Sequence, residues 1–204
     1  MDLTDLRDEL LAMGTATLYE ASGLDCFLPA DLRPAWTGAE IVGVALPVSA
    51  APADNLPIHL ALEVAKPGDV LVVDAQGAPN GYWGEVLAVA AQHLGVVGLV
   101  IDGGVRDTAH LESLGFPAFS RWIAIEGTIK ADPGTIETPI QIGRARIERG
   151  DVIVADRDGI VALPAAKFEE IVESARARTA KEAGFLDRLR GGESTMEIYG
   201  FPRG

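Results

Sequence analysis

The chain opens with hydrophobic positions that recur at the spacing of an α-helix. Leu6 and Leu10 fall on one helical face, and Gly14 is a typical helix terminator. The stretch TATLYEASG predicts a second short helix, capped by Thr15 and ended by Gly23. A proline-broken connection, FLPADLRPAW, follows. The pattern therefore predicts two helices ahead of the main body of the chain.

The middle of the chain alternates between apolar runs and helical patterns. The runs that are typical of strands are EIVGVALPVSAAP, DVLVVDA, VVGLVID and PAFSRW. Between them lie segments with helical spacing, one from near Pro57 to Pro67, one from about Gly84 to Gly95, and the short TAHLESLG. This order predicts βαβ units and a parallel sheet.

The last third changes to short strands separated by turn signals, in PIQIGRARIERGDVIVADRDGIVALP. Within this stretch, Asp158-Gly159 is a strong signal for a β-hairpin. A long polar helix is predicted from Pro164 to about Leu189. No linker or low-complexity segment interrupts the chain, so we expect residues 1–204 to form a single domain of the α/β class.

The composition narrows the class of function. Of the 204 residues, 48% are hydrophobic, as in ordinary globular proteins, and no apolar run is long enough to span a bilayer. The N-terminus is unlike a signal peptide, and the single cysteine, Cys26, fits a reducing compartment, so we expect a cytoplasmic protein with no membrane partner. The formal net charge of −13 disfavours nucleic acid, because nucleic-acid binding depends on neutralising phosphates. A small-molecule ligand is favoured.

Residues suited to catalysis follow the strand predicted at VVGLVID. Gly103 and Gly104 would allow a tight turn and a close backbone approach at the carboxyl end of that strand, where open α/β sheets bind ligands. The guanidinium of Arg106 matches a carboxylate or a 2-oxo acid, and Asp107 is a suitable oxygen ligand for Mg²⁺ or Mn²⁺. The alternative is an ordinary ion pair at a surface turn.

A second candidate feature is the start of the helix predicted from Gly84. The backbone amides of Glu85, Val86 and Leu87 would lack partners within the helix and could bind a substrate carboxylate. The carboxylate of Glu85 could complement the helix dipole or share a metal ion with Asp107. The chain contains no P-loop, no nucleophile elbow, no HExxH zinc motif and no cysteine pair.

Together these two features resemble a known signature. Glu85 is followed by twenty residues and then Arg106-Asp107, which is similar to the acid-x20-Arg-Asp signature of one branch of the RraA-like family. That branch comprises the class II 4-hydroxy-4-methyl-2-oxoglutarate / 4-carboxy-4-hydroxy-2-oxoadipate aldolases, which are pyruvate aldolases. The blocks ADNLPIHLALEVAKPGDVLVVD, LESLGFPAFSRWIAIEGTIK and GDVIVADRDGIVALP also look like this family. The resemblance implies one α/β/β layered domain of the swivelling type with a long C-terminal helix.

The resemblance further implies an active site between the subunits of a homotrimer or homohexamer. In such a site Glu85 and Asp107 of one subunit hold a divalent metal, Mg²⁺ or Mn²⁺, largely through water. Glu182 of a neighbouring subunit joins them. Arg106 binds the 2-oxo acid, and the amides at the start of the Glu85 helix hold its pyruvate part. Asn55 is implied as a further residue of the substrate pocket.

The implied activity is that of a metal-dependent carbon–carbon lyase. It would cleave a 4-hydroxy-2-oxo acid by a retro-aldol reaction to pyruvate and a second 2-oxo acid, leaving a pyruvate enolate that Mg²⁺ and Arg106 would stabilise. The same enolate forms when oxaloacetate loses CO₂, so oxaloacetate decarboxylase activity is a candidate side reaction. Two alternatives stay open. One is an RraA-like enzyme with other chemistry, such as a decarboxylase, hydratase or isomerase, and the other is a non-catalytic regulator of the ribonuclease E type.

Two positions depart from the aldolase pattern. His110 stands where the signature continues with an acid, and Glu85 is the longer acid where aspartate is usual. His110 could accept a hydrogen bond when neutral, or could be an exposed helix residue without a role. Candidate pocket walls are Asn55, His59, Tyr82 and Trp83. For Asn55 a turn-capping role is the alternative.

Overall fold

A computed structural model describes residues 3–202 of the chain. The α-helices are α1 (Leu3–Met13), α2 (Thr15–Ser22), α3 (Leu56–Leu62), α4 (Glu85–His93), α5 (Thr108–Leu114), α6 (Phe168–Arg190) and α7 (Thr195–Tyr199). The strands are β1 (Arg33–Pro34), β2 (Ile41–Ser49), β3 (Asp69–Trp83), β4 (Gly98–Val105), β5 (Ala118–Ile123), β6 (Thr135–Ile136), β7 (Ile140–Ile142), β8 (Ala145–Ile147), β9 (Val152–Ala155) and β10 (Ile160–Leu163). A short 3₁₀ helix, Ala165–Lys167, leads into α6.

The strands build one mixed sheet and a separate hairpin. The sheet order is β1-β5-β4-β3-β2-β9-β10, with β6 pairing on β2, and the hairpin is β7-β8. Strands β2 to β5 run parallel and are connected by α3, α4 and α5, which confirms the predicted βαβ alternation. Strands β9 and β10 are antiparallel and form the predicted hairpin, whose turn includes Asp158-Gly159.

Each face of the sheet buries a core of its own. On one face, α3, α4 and α5 pack on residues such as Leu71 and Leu99. On the other face, the β7-β8 hairpin packs on residues such as Val72 and Val100. The layers are therefore helices, sheet and hairpin, which confirms the predicted α/β/β fold class.

A third cluster packs α1, α2 and the first half of α6 against the sheet. Leu10 of α1, Leu18 of α2 and Val172 of α6 are fully buried together with residues of β9 and β10. Arg176 of α6 also forms a bidentate ion pair with Glu9 of α1, at 2.7 and 2.8 Å. The long C-terminal helix is thus confirmed, whereas the single-domain organisation stays a prediction. Within residues 3–202, no helix has the length and apolar character needed to cross a membrane.

Two helix boundaries differ from the prediction. Gly14 occupies the N-cap position of α2, so Thr15 is the first helical residue and not the cap; its hydroxyl donates to the carboxylate of Asp156 at 2.7 Å. Helix α3 ends at Leu62 instead of continuing to Pro67. The amides that follow it bond to carbonyls three residues earlier, which tightens the last turn and ends the helix.

Strand β3 is much longer than predicted. It runs to Trp83 along β4 with several register shifts, and Gln76 within it has a left-handed φ of 56°. Gly103 and Gly104 lie inside β4, so the prediction of a turn at these glycines is wrong. The close approach is real at Gly104, because a Cβ there would lie 2.5 Å from the carbonyl oxygen of Asn80 on β3. Bulky side chains would keep the two strands from pairing this far.

Candidate active site

The candidate site forms where β3 and β4 end side by side. The amide of Arg106 donates to the carbonyl oxygen of Trp83 at 2.8 Å, so the strands stay paired to their last residues. Asp107 then turns the chain into α5 with a left-handed backbone, φ 56° and ψ 35°. Residues other than glycine rarely adopt this conformation, and such positions concentrate at functional sites.

Asp107 contacts the start of α4. Its Oδ2 accepts a hydrogen bond from the amide of Glu85 at 3.1 Å, and Nε of Arg106 lies 3.9 Å from the same oxygen. A Cβ at position 84 would lie 2.4 Å from Asp107 Oδ2 and 3.1 Å from Arg106 Cγ. The contact therefore requires the glycine that the chain has there, Gly84.

The first turn of α4 offers backbone amides to an anion. The amide of Ala88 donates the first helical hydrogen bond, so the three amides before it lack helical partners. The Glu85 amide donates to Asp107, whereas those of Val86 and Leu87 donate to none of the residues that the structure describes. Free amides at a helix N-terminus favour a negative charge.

A cleft of about 270 Å³ lies next to this helix start. It is lined by Asn55, His59, Tyr82, Gly84, Val86, Leu87, Arg106, Asp107 and Lys130. Most of the predicted substrate-binding residues thus meet in one place, although the sequence separates them widely. Glu85 is not part of the lining, and reaches the cleft through the bond from its amide to Asp107.

Asn55 is buried beside the cleft, with 6% of its surface exposed. Its Nδ2 donates to the carbonyl oxygen of Tyr82 at 3.0 Å, while its Oδ1 has no partner among the described residues. The side chain does not cap α3, so the turn-capping alternative is wrong; Asp54 Oδ1 instead accepts from the Leu56 amide. A buried acceptor without a donor is costly, and a bound ligand that supplies one would remove the cost.

The two aromatic residues at the end of β3 have different surroundings. Tyr82 lines the cleft, but its hydroxyl accepts from the Ala53 amide at 2.6 Å, and burial raises its pKa. Trp83 is fully buried and stacks on Phe116 with ring centroids 5.5 Å apart. Trp83 is therefore a core residue, and its assignment as a pocket wall is wrong.

His59 and Lys130 form the part of the cleft that carries basic groups besides Arg106. Burial lowers the pKa of His59, and the charge of Lys130 lowers it further. Both effects favour the neutral form of the ring. The sequence marks His59 as a candidate wall residue, but no local pattern around Lys130 indicates that it belongs to the same cleft.

The three acids predicted to hold a metal do not meet within one chain. No group of three or more His, Cys, Asp or Glu side chains is placed to hold an ion within residues 3–202. Glu182 lies on α6, where its carboxylate pairs with Arg178 Nε at 2.8 Å. The assignment of Glu85, Asp107 and Glu182 as metal ligands therefore stays a prediction.

His110 lies on the exposed side of α5. Its ring makes no hydrogen bond or ion pair with a residue between 3 and 202, and it does not line the cleft. Its amide donates to the Asp107 carbonyl at 2.9 Å as part of the helix start. Of the two interpretations of His110, the structure favours an exposed helix residue.

The fold and the cleft place the chain in a known class of proteins. The family model for RraA-like proteins, described as Aldolase/RraA, matches residues 5–162. The chain belongs to the RraA-like family, as the sequence signature predicted.

Individual relatives carry two kinds of name. A Halalkalibacterium halodurans protein, provisionally named 4-hydroxy-4-methyl-2-oxoglutarate aldolase, is 35% identical over 76% of this chain and 74% of its own length. A Thermus thermophilus protein named 4-hydroxy-4-methyl-2-oxoglutarate aldolase is 30% identical over 54% of this chain and 68% of its own. A similar solved structure is that of Streptomyces coelicolor RraAS2, described as an unusual member of the RNase ES inhibitor RraA family. It matches with a TM-score of 0.76 and 28% sequence identity, and the match covers 92% of this chain and 96% of that one.

Proposed function

We propose that this protein is a divalent-metal-dependent lyase that cleaves a 4-hydroxy-2-oxo acid to pyruvate and a second 2-oxo acid. The observation that carries the proposal is the convergence of Arg106 and Asp107 on the N-terminus of α4 in one cleft. The aldolase names of the relatives support an aldolase-type reaction.

The cleft has a separate group for each polar end of a 2-oxo acid. The amides of Val86 and Leu87 are suited to the C1 carboxylate, because they are free donors at a helix N-terminus. Arg106 has only a distant contact with Asp107, so its guanidinium can bind the C2 oxygen. Asn55 Oδ1 adds a buried acceptor at the same cleft.

The acids beside the cleft suit a hard divalent ion, although they form an incomplete set. Oδ2 of Asp107 accepts a hydrogen bond from the amide of Glu85, and the Asp107 carboxylate is partly exposed. Glu85 is the first residue of α4. Carboxylate oxygens are the ligands that Mg²⁺ and Mn²⁺ prefer, and Mg²⁺ keeps several waters. We therefore expect Asp107 and Glu85, with Glu182 of a neighbouring subunit, to hold the ion largely through water. Bound there, it would supply Lewis-acid stabilisation of the enolate.

The reaction moves one proton and breaks one carbon–carbon bond. The C4 hydroxyl gives its proton to a water held beside Asp107, the C3–C4 bond breaks, and its electrons move onto the C2 oxygen. C4 becomes the carbonyl of the second product, and the enolate later takes a proton at C3. Arg106 beside the C2 oxygen stabilises the developing charge. Loss of CO₂ from oxaloacetate forms the same enolate, so we expect decarboxylation as a side activity.

The first test is pyruvate release from 4-hydroxy-4-methyl-2-oxoglutarate and from oxaloacetate, with Mg²⁺ and then with EDTA. We expect turnover that requires the metal, and we expect Arg106→Ala to lower kcat by about 10²-fold or more, as loss of a transition-state donor does. Arg157→Ala is the matched control, because Arg157 is exposed in the β9–β10 turn, away from the cleft.

Each other outcome has a definite meaning. Turnover that survives Arg106→Ala would contradict the proposed role of the cleft. Metal binding without turnover of either substrate would indicate an RraA-like enzyme with other chemistry. If the protein neither binds the metal nor turns over either substrate, a binding protein is favoured, like the relative described as a member of the RNase ES inhibitor RraA family.

A further inference from the structure

Two arginines have no anionic partner among the residues that the structure describes. Twelve arginines lie within residues 3–202, and ten of them form an ion pair within 4.0 Å in that part of the chain. The ten are Arg7, Arg106, Arg121, Arg144, Arg146, Arg149, Arg176, Arg178, Arg188 and Arg190. The other two are Arg33 and Arg157. Because acids are in excess in a chain of net charge −13, these two guanidiniums are free by position and not for want of carboxylates.

Arg33 and Arg157 line the same cleft, which has a volume of about 650 Å³. The other residues of its lining are Pro34, Thr37, Gly38, Ala39 and Glu40. The cleft beside α4 contains none of these residues, so this is a separate cavity, which we call the second cleft. Its volume lies within the range of pockets that bind small molecules, roughly 300–1,000 Å³.

Hydrogen bonds hold the two arginines near each other. Arg33 belongs to β1, at one end of the sheet, and its Nη1 donates to the carbonyl oxygen of Asp158 at 3.1 Å. Asp158 follows Arg157 in the turn between β9 and β10, at the other end of the sheet. The carboxylate of Asp156 fixes this turn, because it accepts from the amides of Asp158 and Gly159 at 2.8 and 3.2 Å. Two like charges thus share one cleft, and a bound anion would stabilise them.

One acid belongs to the same lining. Glu40 is exposed, and its carboxylate forms no ion pair within 4.0 Å with a residue between 3 and 202. Glu40 directly precedes β2, whose Ile41 pairs with Ala155 of β9 in antiparallel register. It therefore lies at the same end of these two strands as Arg157. The second cleft contains two unpaired positive side chains and one unpaired negative side chain.

This set of charges is complementary to an amino acid with an acidic side chain. Each guanidinium presents a planar fork of donors that matches one carboxylate. A glutamate carboxylate accepts hydrogen bonds, and an ammonium group only donates them. Glutamate and aspartate, as free amino acids, carry two carboxylates and one ammonium group. Ligands that carry several negative charges and no positive one would instead be repelled by Glu40.

We propose that the second cleft binds a free acidic amino acid, glutamate or aspartate. Arg33 and Arg157 bind its two carboxylates, and Glu40 binds its ammonium group. The binding is non-covalent and uses no residue of the cleft beside α4. This inference therefore does not rest on the proposed lyase activity.

The test is isothermal titration calorimetry with four probes. L-glutamate and L-aspartate carry all three groups, glutarate lacks the ammonium group, and L-glutamine lacks the second carboxylate. We expect the wild-type protein to bind L-glutamate or L-aspartate more tightly than the other two. Arg157→Gln should weaken that binding by about 10- to 100-fold, the range for loss of hydrogen bonds to a charged group. Glu40→Gln should remove the preference for L-glutamate over glutarate.

The controls separate loss of the site from loss of the fold. The Arg157 side chain makes no hydrogen bond or ion pair with a residue between 3 and 202, so its replacement should leave the unfolding midpoint unchanged. Arg190→Gln, at an exposed arginine on α6 outside the second cleft, should change no affinity. If neither amino acid binds the wild-type protein, or if Arg157→Gln binds as tightly, the site is wrong. Equal affinity of the wild-type protein for L-glutamate and glutarate would overturn the assignment of the ligand as an amino acid.

Discussion

At the scale of single residues, the site depends on a close contact between Gly84 and Asp107. Asp107 has a left-handed backbone, and its Oδ2 reaches the Glu85 amide only because position 84 has no Cβ. The contact orients the carboxylate toward the cleft and sets the direction of Arg106 next to it. Two neighbouring segments thus specify one carboxylate position.

Gly84→Ala should therefore reduce activity more than stability. Its Cβ would meet the end of the flexible Asp107 side chain, which can move, so we expect little change in the midpoint of thermal unfolding. We expect turnover to fall by about 10²-fold, since a displacement of roughly 1 Å at a reacting site has an effect of this size.

Pyruvate release and differential scanning calorimetry would measure the two effects. Gly159→Ala is a suitable control, because a Cβ there would meet only Thr15 Oγ1, at 4.0 Å, far from the cleft. A Gly84→Ala enzyme with normal turnover would show that the Asp107 position is unimportant.

Residue patterns predicted the part of the site that is local in sequence. The Arg106-Asp107 pair and the helix start at Glu85 could be found because each lies next to a strong strand or helix signal. Lys130 could not be found in this way. Its place in the cleft depends on the carboxylate of Asp54, which accepts from the amide of Asp132, 78 positions further along the chain, and only the folded chain brings these groups together.

At the scale of elements, one buried carboxylate connects α3 to the segment after β5. The amide of Leu56, followed by those of Asp132 and Ala131, lowers the pKa of Asp54 below its ordinary value of 3.8, while burial opposes the shift. A folded pKa below the unfolded one means that the ionised carboxylate stabilises the fold above about pH 4 and loses this effect as the pH falls through the folded value.

Asp54→Asn should make the protein less stable at neutral pH and less sensitive to acid. The amide cannot accept from three N–H groups as the carboxylate does, so the difference in unfolding midpoint between the variant and the wild type should shrink as the pH falls from about 7 to about 3. Asp158→Asn, at an exposed turn, should leave the wild-type pH profile unchanged. A constant difference at all pH values would mean that ionisation of Asp54 does not contribute.

Elements whose apolar positions recur with a regular period were predicted well from the sequence, and elements without such a period were not. The strands and helices from β2 to β5 appear in the sequence as alternating apolar runs and helical patterns. The second half of β3 was missed because Gln76, Gly77 and Pro79 have the composition of a loop. Pairing with the glycines of β4 overrides that local preference.

At the scale of the whole molecule, the end of β5 and the segment that follows it expose several large apolar side chains. Ile123, Ile125 and Ile129 are 60%, 90% and 62% exposed, and Trp122 is 46% exposed. Exposed apolar residues that cluster in this way mark interaction sites. Lys130 follows directly, so a subunit bound here would lie at the edge of the cleft, as expected for a trimer or hexamer with sites between subunits.

Ile125→Glu should therefore weaken subunit association. We expect the wild-type protein to run as a trimer or hexamer in size-exclusion chromatography with light scattering, and the variant to shift toward monomer and lose turnover with it. Val64→Glu, at a residue 44% exposed after α3, is the matched control and should change neither. A fully active wild-type monomer would contradict the expected assembly.

The bonds from Asp54 to the amides of Ala131 and Asp132 also have a kinetic consequence. Because these amide hydrogens are held by a buried carboxylate, they should exchange slowly with solvent even when no ligand is bound. The edge of the cleft that carries Lys130 is then already formed before the substrate arrives. Ligand binding should follow a single exponential whose rate rises linearly with ligand concentration, without the plateau that a slow closing step would produce.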